Sequence, residues 1–185
     1  MGEAAAVITF FAPGLRFFHQ GQFEGRLKRI SPHLVRGPDE PVNKRWAEFY
    51  KRLLTVLQQP IFRVGKWQLL ECAPAWQGNN SCEAFIAYAW ENSDGGRTLV
   101  AVNYSDHFSQ CYLRLPFSNL HGQWQLRDLL GDARYERNGS VLESQGLFLD
   151  VGPWQYHVFN LSAEKADDLW KRQSQYSNEL LASRS

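Results

Sequence analysis

The strongest constraint on this chain is a change of hydrophobic period at Pro60. Before it, Val42, Trp46, Phe49, Tyr50, Leu53, Leu54 and Leu57 recur at helical spacing with Lys44, Arg45, Glu48, Lys51 and Arg52 between them, the pattern of a helix with one buried face. After it come seven short aromatic and β-branched runs, at 67–73, 83–91, 97–104, 110–115, 123–129, 146–151 and 154–161. Between them stand Gln77-Gly-Asn-Asn80, Ser93-Asp-Gly-Gly96, Ser105-Asp106, Asn138-Gly139 and Gly152-Pro153, sequences whose residues accept tight turns. Short strands punctuated at this spacing predict an antiparallel β-sandwich. The chain is therefore read as mainly β from Pro60 to about residue 162.

The N-terminal part reads differently. Residues 4–12 are nearly continuously apolar, with Val7, Ile8, Phe10 and Phe11, and predict a strand covered on both faces. Pro13-Gly14, Gly21 and Gly25 then open a long irregular loop, continued by the basic Arg26, Lys28 and Arg29; such loops are disproportionately functional. A helix is expected from Asp39, as cap, to Pro60. Strand, loop and helix together make one βα unit, the repeating element of a (β/α) barrel or an open α/β sheet. The expected division is thus 1–60 for this unit, 61–162 for the sandwich, and 163–185 for a polar tail, a loose helix or a frayed end, whose packing residues would be Leu169, Trp170, Tyr176, Leu180 and Leu181.

Charge narrows the choice of partners. The 20 basic and 19 acidic residues leave a formal charge of +1, which gives no electrostatic reason to expect nucleic acid or an anionic membrane. The apolar stretch near the N-terminus follows Glu3 and is broken by Pro13-Gly14, so it is read as neither a signal peptide nor a membrane span, and a cytoplasmic location is expected. Cys72, Cys82 and Cys111 are odd in number and never paired as CxxC; buried free thiols are expected rather than a disulfide framework or a zinc site. His33, His107, His121 and His157 lack metal-ligand spacing, and no cofactor is implied.

The stretch Gly14-Leu-Arg-Phe-Phe-His-Gln-Gly-Gln-Phe-Glu-Gly25, followed by a helix and an all-β region, resembles the C-terminal part of the α-amylase family of glycoside hydrolases. In that family the eighth barrel strand ends in a pattern close to Gly-x-Pro-x-x-Tyr-Tyr-Gly-Gln/Asp-Glu-x-Gly, and a helix leads on to an antiparallel domain C. Gly14, Gly21, Gln22 and Gly25 fit the pattern; Arg16 stands in place of the proline, His19 and Gln20 in place of the tyrosines, and Phe23 in place of the glutamate, with Glu24 one residue later. Val100-Ala-Val-Asn-Tyr-Ser105, Leu126-Arg-Asp-Leu-Leu130 and Pro153-Trp-Gln-Tyr-His-Val-Phe159 resemble later strands of domain C.

The resemblance implies an enzyme acting on α-glucosidic linkages, by hydrolysis or glycosyl transfer, with an α-glucan or maltooligosaccharide as substrate. It also implies that the catalytic carboxyl groups lie on the fourth, fifth and seventh barrel strands, all before the eighth. A retaining glycosidase needs two carboxyl groups about 5 Å apart, and the isolated chain is expected to lack them and to be inactive. Within the first loop, Arg16, His19, Gln20, Gln22 and Glu24 are the candidates to line a substrate pocket, with packing and loop closure around Gly21 as their alternative role. Among the tryptophans, Trp67, Trp90, Trp124 and Trp154 are expected to pack inside, whereas Trp76, beside a Gly-Asn-Asn turn, is the candidate to stack on a sugar. That makes a non-catalytic carbohydrate-binding module the principal alternative. The other is a structural domain whose apolar N-terminal unit self-associates when no barrel covers it.

Overall fold

The computed structural model describes residues 1–28, 33, 37 and 39–163. Helices α1 (Gly2–Phe11), α2 (Lys44–Leu57) and α3 (Ile61–Val64) come first. Strands β1 (Lys66–Leu69), β2 (Cys72–Pro74), β3 (Phe85–Glu91), β4 (Arg97–Asn103), β5 (Ser109–Leu113), β6 (Gln123–Asp128) and β7 (Arg134–Asn138) follow, then helix α4 (Gly139–Ser144) and strands β8 (Leu147–Val151) and β9 (Tyr156–Ala163). The expected tail at 163–185 lies outside the described residues except for Ala163, which ends β9. Arg29 is outside them too.

The strands form two antiparallel sheets, as the turn spacing predicted: six strands in the order β1-β3-β4-β9-β6-β7, and three in the order β2-β5-β8. The register puts Ala87 opposite Ala101, Ala89 opposite Leu99 and Leu99 opposite Phe159. These side chains fill one core together with Cys111, Leu113, Leu149 and Val151 of the small sheet. Residues one step along the same strands, Tyr88, Trp90, Val100, Val102 and Val158, point the other way into a second core under α1 and α2. The large sheet is therefore covered on both faces, which is why 85–90 and 99–102 are continuous apolar runs instead of alternating. All three cysteines are free; Cys82 and Cys111 are buried and Cys72 is half-buried.

The strand expected at 4–12 is a helix. No strand among the described residues pairs with this segment, and an unpaired buried strand would strand its N–H and C=O groups. A helix satisfies them internally, and Ala4-Ala5-Ala6 favours it. Burial of Ala4, Val7, Phe10 and Phe11 fixes its inner face. The sheet then ties down the helix end: the Tyr88 hydroxyl lies 3.1 Å from Val7 O and 3.0 Å from Ile8 O, and Trp90 Nε1 donates to Phe11 O at 2.8 Å. Phe11 O is among the carbonyls that a helix C-terminus leaves unpaired.

Three smaller departures have local causes. Helix α2 is capped by Asn43, whose Oδ1 accepts from Trp46 N at 3.2 Å, and not by Asp39; Asn43 N is itself bound to Glu24 O, which holds the preceding residues out of the helix. The run 67–73 divides, since β1 pairs with β3 in the large sheet while β2 pairs with β5 in the small one. Asn138-Gly139 begins a helix instead of a hairpin turn: Asn138 Oδ1 accepts from Ser140 N and Val141 N, and a Cβ on Gly139 would collide with the Leu120 carbonyl. No helix among the described residues is long and apolar enough to cross a membrane.

Candidate functional site

The glycine-rich loop is folded by aromatic packing. Phe18 stacks on Phe10 with centroids 4.3 Å apart, Phe23 packs between Phe18 and Tyr50, and Trp46 Nε1 donates to Gln22 O at 2.9 Å. Gln22 closes the loop from both ends of its amide, donating to the Tyr50 hydroxyl at 2.7 Å and accepting from His19 N at 3.2 Å. The Arg16 guanidinium caps two helices: Nε donates to Phe10 O at 2.6 Å and Nη2 to Phe62 O at 2.9 Å. Partial burial draws Arg16 below its ordinary pKa, and nearby Arg63 pushes the same way. His19 and Gln20 have exposed side chains, and the Glu24 carboxylate is half-buried with no ion pair among the described residues. Trp76 is 57% exposed. It follows β2, on the opposite side of the large sheet from α1 and α2, so the fold does not bring it together with the loop.

A concavity lies elsewhere, between the start of α1, the start of α2, the β6–β7 turn and the entry to β9. Its volume is about 820 Å³, within the range of small-molecule sites. None of the substrate-contact candidates of the sequence, Arg16, His19, Gln20, Gln22, Glu24 and Trp76, lines it, whereas Trp154 and His157 do. On one wall Glu3 receives Arg45 Nη2 at 3.1 Å and the Tyr156 hydroxyl at 3.0 Å. Burial pushes the Tyr156 phenol up, and the Glu3 charge adds to this, so the phenol stays a donor. On the other wall Asp128 accepts from Leu130 N at 3.0 Å and Val158 N at 3.3 Å through Oδ1, and its Oδ2 lies 2.7 Å from His157 Nδ1. A carboxylate only accepts, so His157 Nδ1 is the donor.

Trp154 forms the rim and is half-exposed. Its φ is 54°, a left-handed conformation that costs a bulky L-residue roughly 1–2 kcal/mol. Trp154 N donates to Ser105 O at 3.0 Å, and Tyr104 packs edge-on against its ring at 5.1 Å. The expectation that Trp154 packs inside a strand is corrected in its strand placement, since β9 begins only at Tyr156 because the turn at Gly152 and Pro153 extends two residues further, while its ring does pack in part against the helical core.

Two carboxyl groups of the groove already have partners. Glu3 and Asp128 are both committed, one to an arginine and a phenol, the other to two backbone amides and an imidazole. Ser105 and Ser109 bond to each other and to the His107 carbonyl, away from this imidazole. Among the described residues no cluster of His, Cys, Asp and Glu is placed to hold a metal ion. One wall of the groove stood in two quoted segments, Leu126-Arg-Asp-Leu-Leu130 and Pro153-Trp-Gln-Tyr-His-Val-Phe159. Only the pairing of β6 with β9, which sets Asp128 opposite Phe159, joins them.

No protein-family model matches the chain, and no curated protein matches it in sequence. Solved structures do match. A maltogenic α-amylase of Thermotoga neapolitana superposes with a TM-score of 0.67 at 12% identity, over 88% of this chain and 36% of that one. The chain has the fold of part of an α-amylase. An α-amylase of Geobacillus thermoleovorans, solved with acarbose, gives 0.66 at 18% identity over 88% of this chain and 33% of that one. An Anoxybacillus α-amylase gives 0.65 at 14% identity, over 89% and 32%. This α-amylase-like chain thus spans about a third of the length of the enzymes it matches.

Proposed function

We propose that this chain is the C-terminal, non-catalytic portion of an α-amylase-family enzyme of carbohydrate metabolism, one that hydrolyses or transfers glucosyl units at α-glucosidic linkages. The observation that carries this reading is the superposition over 88% of this chain on 36% of a maltogenic α-amylase. It agrees with the order of loop, helix and antiparallel strands read from the sequence. Two of the three carboxyl groups that line the groove, Glu3 and Asp128, support the second half of the statement, since their engagement with an arginine, a phenol, two amides and an imidazole leaves only Asp132 and no free pair to serve as acid and nucleophile. In the whole enzyme the loop 14–25 would shape the pocket. Arg16 and Gln22 would act by holding that loop, and His19, Gln20 and Glu24 would be the residues with polar groups to offer a sugar.

Two measurements test the proposal. The isolated chain is expected to show no turnover of a chromogenic maltooligosaccharide, and turnover that survives Glu24→Gln would sink it. An antibody raised against the chain is expected to detect, in cells of its source, a polypeptide much longer than 185 residues; a band at the size of this chain alone would speak for an independent module. A module of that kind would use Trp76, whose 57% exposure beside a turn is the specific observation in its favour.

A further inference from the structure

We propose that the groove between α1, α2, the β6–β7 turn and β9 binds a neutral oligosaccharide, with Trp154 as the face on which a sugar ring stacks. Three independent features converge on it. The first is Trp154 itself. The backbone at this turn asks for glycine or asparagine, since φ is 54° and those residues enter the left-handed region at least cost. A tryptophan held there against its own preference calls for a role of the side chain, as strained residues at ligand sites do. Its ring is half-exposed at the groove, with one edge steadied by Tyr104, and among the described residues its indole N–H bonds to no protein group.

The second feature is charge. Glu3 is matched by Arg45, while Asp128 and Asp132 leave acidic groups in the lining, so the walls turn away a carboxylate, a phosphate or an acidic sugar and suit a ligand of uncharged hydroxyls. The third is the set of unspent polar groups around an aromatic face. His157 lines the groove with Nδ1 given to Asp128 and its other ring nitrogen uncommitted among the described residues. Gln155, whose Oε1 takes Gly152 N at 3.2 Å, retains its amide N–H groups. A flat aromatic surface bordered by neutral donors and acceptors suits a pyranose, which carries C–H groups on one face and hydroxyls at its edge.

The groove asks only for a neutral oligosaccharide; the choice of an α-glucan as first probe rests on the proposed function. Titration calorimetry of the full chain with maltoheptaose and with cellohexaose tests both. At least one is expected to bind at millimolar strength or tighter. Trp154→Gly is expected to weaken that binding at least tenfold, with a thermal midpoint equal to or above the wild type because the turn is relieved; Trp154→Asn, which also tolerates positive φ, replaces it should the glycine variant not fold. Trp76→Ala is expected to change nothing. Binding of cellohexaose alone would uphold the groove and remove the α-glucan assignment. Binding that survives the loss of Trp154, or that is lost with Trp76, would overturn the proposal. So would binding of neither sugar, which leaves the α-amylase reading to the antibody experiment.

Discussion

At the scale of single residues, position in a loop is a poor guide to role until partners are known. Arg16 stands in a glycine-punctuated segment among residues suited to contact a sugar, yet its fork spans two helix ends, at Phe10 O and Phe62 O. A lysine cannot reproduce this, because a single ammonium lacks the planar spread of a guanidinium. Hydrogen bonds from a charged donor contribute about 1.5–3 kcal/mol. Arg16→Ala is therefore expected to lower the unfolding free energy by about that range, and Arg16→Lys by most of it. Urea titration at neutral pH measures this as a lower midpoint at unchanged slope, and a lysine variant as stable as the wild type would return Arg16 to the list of free loop side chains. Gln22 follows the same logic, its amide being spent on Tyr50 and His19 N. Trp154 shows the converse. Its local sequence suggests a core strand, and only the positive φ reveals a side chain held at a surface groove.

At the scale of elements, what the sequence disclosed depended on whether burial or pairing decides the structure. Strands β3 and β4 were legible because two covered faces leave an unbroken apolar run in each, at 85–90 and 99–102. The same signal misleads at Gly2–Phe11, where apolar residues next to alanines pack as a helix; period alone does not separate a short buried strand from a short buried helix. Strand β7, Arg134–Asn138, carries no such signal, being a largely exposed and charged edge strand that exists through its pairing with β6, as edge strands guarded by charge do. The groove was illegible for the same reason, since register brings its walls together. The layer of helices on the sheet has its own chemical signature: Tyr50, Tyr88 and Tyr156 all have phenols pushed up, each chiefly by burial. A raised folded-state pKa means that the unfolded chain loses the proton first. The contribution of these phenols is complete below their ordinary value of 10.0 and drains away as pH rises beyond it. Helix α1, held by Tyr88 and Tyr156, is expected to detach before the sandwich unfolds. Tyr88→Phe is expected to cost about 1 kcal/mol at neutral pH and to flatten the alkaline decline, so parallel stability–pH curves for variant and wild type would refute the assignment.

At the scale of the whole molecule, the two cores are not equivalent. The sandwich core is enclosed between two sheets, whereas the helical layer ends in the segment 12–28, where Leu15 is 97%, Phe17 78% and Leu27 88% exposed. Isolated apolar side chains on a surface need no explanation, and Val64 and Phe108 are of that kind. Three large ones on one short segment beside an aromatic cluster mark a surface that gains by being covered. In a longer enzyme other parts of the barrel would cover it; in the isolated chain a second copy is the available partner. Burying one Leu or Phe side chain contributes about 1.5–3 kcal/mol, and each 1.4 kcal/mol is about tenfold in an association constant. The isolated chain is accordingly expected to self-associate as its concentration rises, and the double change Leu15→Ser with Phe17→Ser to weaken this by about a hundredfold or more while leaving the fold intact, since neither side chain is buried in the monomer. Light scattering across a concentration series, with circular dichroism as the control for folding, decides it: a wild-type chain that stays monomeric at every concentration, or a double variant that associates as strongly, would show that these side chains face water without consequence.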